Sequence, residues 1–335
     1  MANSEYLEHP IFLCGHRKTG TTLLLSLLDH HPQLAVYPSD SSFFYAYFPN
    51  WQASHTGNTE RINRMIETVI AGVEVDTANW KDDFDQPLNF PFDDLKSRFR
   101  ELAGDTDTSP KQMLLSIIQA FREVWLTDHS PTAWVEKTTS SEIYASEMLE
   151  WFPNARFIHI VRDPRDNWAS LRSGWEKRYQ NFNDSPDRLM SSMLSRGRTG
   201  MLFADLNTQL IGDDRYIVIR YEDLTTDPTG VIVSLSSKLG IDNCDILHQP
   251  TFCGRTWRGN NFDGQKFEGV SGVNAGRWRQ RIPESEAALI EFHFADLMQR
   301  FDYPLETSAA TQATAAIEHY KWFNFAQVFS YTDHI

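Results

Sequence analysis

The stretch Pro10-Ile11-Phe12-Leu13-Cys14-Gly15-His16-Arg17-Lys18-Thr19-Gly20-Thr21-Thr22 decides how the rest of the chain is read. Pro10 to Cys14 is an apolar run without polar alternation, the pattern of a strand buried on both faces of a parallel sheet. A loop carrying Gly15 and Gly20 follows. Thr22 to Asp29 then reads as a helix with a leucine-rich face, stopped near His31-Pro32 because a proline restricts its predecessor. Strand, glycine loop and helix in this order place backbone N–H groups and a helix N-terminus where they cradle a phosphate. The pattern is not a Walker A motif. Thr21 stands where that motif has its lysine, and Lys18 lies inside the loop instead. A metal-dependent kinase also needs a carboxylate after a neighbouring strand to hold Mg²⁺. Here the runs ending at Val161 and Ile219 are followed by Arg162 and Arg220. The loop suits a phosphate held without metal; the competing reading of the loop alone is a Gly-Thr turn with a solvated Arg-Lys pair.

Moving outward, Leu34 to Tyr37 predicts a second short strand, and Trp134-Val135 leads into Glu136-Lys137-Thr138-Thr139. Arg156 to Val161 and Tyr216 to Ile219 are clear strands. Glu142 to Trp151 predicts a helix, and so does Val231 to Leu239, ended by Gly240. Between the second strand and Trp134, residues 47–130 hold Trp51, Trp80, Trp125 and two helical patterns. The clearer has Ser109 as N-cap, Pro110 in the first turn, and Met113, Leu114, Ile117, Ile118, Phe121 and Trp125 along one side. The expected fold class is α/β: a P-loop-type parallel sheet covered by helices on both faces, with 47–130 as a helical insertion over the active-site side. We expect one domain over residues 1–335, in which 306–335 is a C-terminal aromatic tail. In such sheets ligands gather at the carboxyl ends of the strands, where all these motifs fall.

Composition narrows the function. A net charge of −14 argues against non-specific nucleic-acid binding and disfavours a polyanionic acceptor. Cys14, Cys244 and Cys253 form neither a closed disulfide framework nor zinc-ligand spacing, so reduced thiols and a cytoplasmic protein are expected. The first residues lack the basic and apolar segments of a signal peptide. The longest apolar run, Leu23 to Leu28 interrupted by Ser26, is far too short for a membrane span. The tail carries Tyr320, Trp322, Phe323, Phe325, Phe329 and Tyr331, which either pack on the core or support a homo-oligomer.

A second anion grip follows the strand ending at Val161. Arg162 is delivered to the sheet edge, Asp163 and Pro164 open a helix, and Ser170 lies on that helix. A guanidinium offers a planar fork to phosphate oxygens and a hydroxyl adds a donor. Two separate grips suit a ligand phosphorylated at two places. His16 and His159 read as structural.

The set Arg17-Lys18-Thr19-Gly20-Thr21-Thr22 with Arg162 and Ser170 resembles the two phosphate-binding elements of sulfotransferases that use 3′-phosphoadenosine 5′-phosphosulfate (PAPS). His31-Pro32, Glu136-Lys137-Thr138, Phe152-Pro153, Arg220-Tyr221-Glu222-Asp223-Leu224 and Val273-Asn274-Ala275-Gly276-Arg277-Trp278 strengthen the likeness, which runs from about residue 10 to 305. The pattern is most similar to tyrosylprotein sulfotransferases and related bacterial enzymes. The resemblance implies sulfuryl transfer from PAPS to a hydroxyl or amine, release of adenosine 3′,5′-bisphosphate (PAP), and no metal. It implies that Lys18 neutralises the leaving phosphate, that Arg17, Thr19, Gly20, Thr21 and Thr22 hold the 5′-phosphate, and that Lys137 meets the sulfuryl oxygens. Arg162 and Ser170 would hold the 3′-phosphate, Tyr221 would contact the adenine region, and Arg277 would close over the phosphates. Leu23 stands where cytosolic members carry an adenine-stacking tryptophan, so that stacking must come from elsewhere. For the general base the resemblance points near His31-Pro32, where Asp40 lies; its alternative role is to cap a helix starting near Ser41. Glu136 is in reserve, with Lys137 expected to depress its basicity. The acceptor stays open among a small molecule, sugar, lipid or peptide tyrosine, with 47–130 and Phe252 to Gly269 shaping its pocket. A metal-dependent kinase and a catalytically inactive PAP-binding protein are the competing classes.

Overall fold

The computed structural model describes residues 4–46, 57–104, 109–174, 186–259 and 264–332, with backbone alone at 45–46, 186–187 and 322–332. Trp51 and the side chains of Trp322, Phe323, Phe325, Phe329 and Tyr331 lie outside what is described, as do residues 260–263 of the Phe252–Gly269 loop. The chain divides into two compact units, 1–161 with 203–271 and 162–202 with 272–335.

The first unit is built on a five-stranded sheet in the order β2-β3-β1-β4-β5. Its strands are β1 Pro10–Cys14, β2 Leu34–Asp40, β3 Ala133–Lys137, β4 Arg156–Val161 and β5 Tyr216–Arg220. Every pairing is parallel, so all five carboxyl ends point one way. Successive residues of a strand face opposite sides, and both sides here are apolar. Phe12, Trp134, Phe157 and Tyr216 point to one core, while Ile11, Leu13, Val135, Ile158 and Ile217 point to the other. Side chains this buried each contribute about 1.5–3 kcal/mol. This two-sided burial is why the strands read as unbroken apolar runs, and the expected α/β class stands.

On the second face lie the helices Thr21–Leu28 and Pro228–Leu239, the latter ended by Gly240 at φ 70°. The insertion covers the first face. Its helix Pro110–Trp125 starts as expected, with Ser109 Oγ accepting from the Gln112 N–H at 3.2 Å. The insertion also holds the helix Phe92–Ala103 and a longer stretch assembled from Asn58–Met65, a π-turn at Ile66–Ile70, and Ala71–Asn79. A π-turn shifts the register of the apolar face in mid-helix, so a search at constant helical period finds fewer segments than exist. Glu142 to Trp151 splits into a 3₁₀ turn, Ser141–Tyr144, and the helix Ala145–Trp151.

The second unit is helical, with Pro164–Gly174, Trp278–Arg281, Glu284–Arg300 and Ala309–Thr332. Arg165 is its fully buried anchor. Its guanidinium donates to Asp163 Oδ2 at 2.7 Å and to Glu291 Oε1 at 2.5 Å. Its face also lies over the Trp278 ring, 4.2 Å from the centroid. Among the described residues no helix is long and apolar enough to cross a membrane.

Candidate active site

In the first unit the site grows from the carboxyl ends of β1, β2, β3 and β5. After Cys14 the chain turns sharply at Gly15, whose φ of 137° and 2.6 Å spacing from a virtual Cβ to the Ile160 carbonyl leave no room for a side chain. The Gly15 N–H donates to Glu142 Oε2 at 3.2 Å. Thr19 closes the loop on His16, donating to its carbonyl through both N–H (3.2 Å) and Oγ1 (2.8 Å). Between them Lys18 adopts φ 68°, a left-handed conformation that costs a non-glycine residue on the order of 1–3 kcal/mol. Gly20, at φ 113°, caps the helix Thr21–Leu28, and among the described residues no side chain makes a capping hydrogen bond there. Uncapped N–H groups at the positive end of a helix are an anion site. The Tyr221 ring, at the end of β5, lies against Gly20, and a Cβ there would come within 2.5 Å of it.

The neighbouring strands bring two more groups to the loop. Asp40 and Lys137 are register partners at the ends of β2 and β3. Lys137 Nζ lies 3.6 Å from Asp40 Oδ2 and donates to Thr22 Oγ1 at 3.1 Å. Asp40 Oδ1 accepts from the Ser42 N–H at 3.0 Å and from its hydroxyl at 3.2 Å. Oδ2 accepts from the Thr139 N–H at 3.3 Å and from the Thr139 hydroxyl. Asp40 thus does make the local turn contact expected of a cap, and it also faces Lys137. Thr139 was not singled out by pattern; only the strand-end geometry gives it a partner.

Glu136 is fully buried, and its Oε1 accepts from the hydroxyls of Ser41 and of Thr138, the latter at 2.6 Å. Its Oε2 is buried without a hydrogen-bond partner among the described residues. Burial pushes its carboxyl up to about 7, outweighing the opposing hydroxyl donors and Lys137. The neighbouring lysine therefore does not set its basicity. Glu142 is pushed up to about 7 by burial as well. His159 lies on β4 with Nδ1 2.8 Å from the Tyr216 hydroxyl, and burial lowers it to about 3. It remains neutral at physiological pH, as a structural histidine does.

In the second unit Arg162 follows directly after β4. It donates through Nη2 to the Asn274 carbonyl at 2.9 Å, and Arg277 donates through Nη1 to Asn274 Oδ1 at 2.7 Å. Asp166 fixes this segment by accepting from the Gly276 N–H at 2.5 Å and the Trp278 N–H at 2.8 Å. Asn274 and Asp166 are thus the residues that bring two sequence-predicted arginines together. Asp163 Oδ1 accepts from the Arg165 N–H at 2.9 Å, as its capping role predicts. Ser170 is half-buried on the helix Pro164–Gly174.

The chain belongs to the sulfotransferase family, whose model matches residues 10–245. It is 22% identical to the omega-hydroxy-beta-dihydromenaquinone-9 sulfotransferase Stf3 of Mycobacterium bovis, over 95% of this chain and 81% of that protein. It is 20% identical to protein-tyrosine sulfotransferase A of Caenorhabditis elegans, over 88% of this chain and 67% of the relative. Among solved structures, the sulfotransferase domain from the curacin biosynthetic pathway superposes with a TM-score of 0.52 at 18% identity, covering 88% of this chain and 98% of that domain. That likeness shows the shared fold.

Proposed function

We propose that the chain transfers a sulfuryl group from PAPS to an acceptor hydroxyl by in-line displacement, releasing PAP. An amine is the alternative nucleophile. The observation that carries this reading is the Lys137 ammonium 3.1 Å from Thr22 and 3.6 Å from Asp40, beside a loop whose helix N-terminus is uncapped. Asp40 takes the acceptor proton as the acceptor oxygen bonds to sulfur. The bond from sulfur to the phosphate oxygen breaks, and Lys18 meets the charge left on that oxygen. Lys137 faces the sulfuryl oxygens. Arg17, Thr19, Gly20, Thr21 and Thr22 hold the 5′-phosphate through loop and helix N–H groups and the threonine hydroxyls. Arg162 and Ser170 hold the 3′-phosphate, Tyr221 borders the adenine region, and Arg277 closes over the phosphates. Positioning and charge neutralisation carry the reaction, and the loop lysine takes the place a metal fills in nucleotide kinases.

The insertion and the hairpin formed by Thr251–Phe252 and Arg255–Thr256 meet beside Thr22. Trp80 lies 5.0 Å from Phe252 and 5.2 Å from Trp257, ring centre to ring centre. This aromatic seam supports assigning both segments to the acceptor side. The names of the relatives include a lipid-quinone and a protein-tyrosine acceptor, and hydroxyls of both kinds are the first to test. The deciding experiment is transfer of ³⁵S from labelled PAPS across a panel of lipid, phenol, sugar and peptide hydroxyls, with thermal stabilisation by PAP lacking Mg²⁺ set against ATP with Mg²⁺. Preference for ATP with Mg²⁺ would overturn the proposal, and PAP binding without transfer to any acceptor would favour an inactive binding protein.

A further inference from the structure

The end of the sheet opposite the phosphate loop holds a second cavity. It has a volume of about 640 Å³ and is lined by His9, Pro10, Thr132, Asn154, Arg156 and Arg215, among others. Pro10 and Arg156 open β1 and β4, and Arg215 immediately precedes β5. A five-residue strand spans about 17 Å, which separates this cavity from the loop at the other end of β1.

Two guanidiniums line it, and among the described residues they donate to backbone carbonyls alone. Arg156 Nη1 donates to the Leu239 carbonyl at 2.5 Å. Arg215 donates through Nη2 to the carbonyls of Pro153 at 2.5 Å and Ala155 at 3.0 Å, and through Nε to Ala155 at 3.3 Å. Carbonyls satisfy N–H groups but carry no formal countercharge. Arg98 with Glu123, Arg165 with Asp163 and Glu291, and Arg172 with Glu286 form ion pairs, while half-buried Arg122 and Arg255, like Arg156 and Arg215, donate to neutral oxygens among the described residues. Glu5 lines the same cavity yet pairs with neither Arg156 nor Arg215. What sets Arg156 and Arg215 apart is that both line one cavity: two half-buried cations at one place, against a single lining carboxylate that ion-pairs with neither of them, leave room for a countercharge from outside. Nε and Nη2 of Arg156 and Nη1 of Arg215 are the donors left for it.

We propose that this cavity is a second ligand site, separate from the catalytic loop, for a small molecule bearing a phosphate or sulfate group. The volume lies in the range of ligand pockets for nucleotide-sized molecules. Guanidinium forks suit tetrahedral oxyanions, and a ligand bound to the folded state alone raises the unfolding temperature.

The test follows the thermal unfolding of the full chain with inorganic phosphate from 0 to about 50 mM at constant ionic strength, chosen well above the millimolar affinity of a simple oxyanion. Wild type is compared with Arg156→Gln/Arg215→Gln and with Asn154→Trp, which narrows the cavity and leaves both arginines in place. Saturating micromolar PAP is present with all three proteins and occupies the catalytic loop, so the phosphate-dependent rise reads the second site. The expected result is a phosphate-dependent rise in Tm cut by half or more in at least one variant, with stabilisation by micromolar PAP retained. Smaller reductions in both variants would overturn the proposal. Should the arginine variant fail to fold, Asn154→Trp alone decides by the same threshold. A second arm replaces phosphate with AMP: a variant-sensitive response at ten-fold lower concentration assigns a nucleotide-like ligand, and equal potency assigns a simple oxyanion.

Discussion

The Asp40 carboxylate lies 3.6 Å from the Lys137 ammonium because the two residues end neighbouring parallel strands and a register shift between Val36 and Asp40 makes them partners. Ser42 and Thr139 donate to both carboxylate oxygens and fix its orientation. Removing the charge while keeping the shape isolates its role. Asp40→Asn is expected to lower kcat by about 10²- to 10⁴-fold, the range for a general base, while the KM for PAPS changes little. Steady-state kinetics over a pH series checks this, and an unchanged kcat across pH would move the base elsewhere.

Lys18 combines a charge with a strained backbone at φ 68°. Lys18→Gly relieves the strain and removes the charge; Lys18→Ala removes the charge alone. Both are expected to lose about 10²- to 10³-fold in kcat, as when a single charge-stabilising donor is removed. Recovery of turnover in the glycine variant would show that loop shape, and not the ammonium, limits the wild-type reaction.

Gly20 has φ 113° and no space for a Cβ against the Tyr221 ring. Gly20→Ala should distort the start of the helix Thr21–Leu28 and raise the KM for PAPS at least ten-fold. Stability should fall by about 1–3 kcal/mol, the cost of backbone strain at such a position. Adding Tyr221→Leu removes the ring and is expected to restore part of the stability, measured by denaturant unfolding.

Arg165 has no exposed surface and holds both Asp163 and Glu291. Arg165→Ala leaves two buried carboxylates without their cation and is expected to cost about 3–5 kcal/mol. Circular dichroism during urea unfolding measures it. A loss below 1 kcal/mol would mean that water replaces the guanidinium.

The sheet was legible because its strands are buried on both faces: Ile158 and Ile160 meet one core, Phe157 the other, and the run Arg156 to Val161 carries no gap. The loop lysine and the two arginines were legible because their chemistry is tied to short motifs. The organisation around them was not. Nothing near Asn274 or Asp166 announces that one receives Arg162 while the other holds the backbone of Gly276 and Trp278, since those contacts join segments more than 100 residues apart. The insertion was only partly legible, because the π-turn at Ile66–Ile70 breaks its period.

Glu136 shows why burial outranks sequence proximity, and its titration can be read in stability. Its carboxyl is raised to about 7 in the folded protein, against about 4.3 for an exposed glutamate. Between those values the folded chain holds a proton that the unfolded chain has released. The stabilisation from the neutral carboxyl is therefore full below about pH 4.3 and is lost as pH rises through 7, a change of roughly 3 kcal/mol. Glu136→Gln mimics the protonated form at every pH. Its amide also brings new donors to the buried position of Oε2, at a cost that does not vary with pH. The expected signature is thus a slope that saturates: Tm of the variant minus Tm of wild type becomes more positive from pH 5 through pH 7 and levels off above about pH 8. Glu142 shifts in the same direction, and His159, lowered to about 3, acts oppositely below about pH 6.5. Both are present in each protein, so the difference removes them. A flat difference across that range would show that Glu136 ionises in the folded state as it does in water.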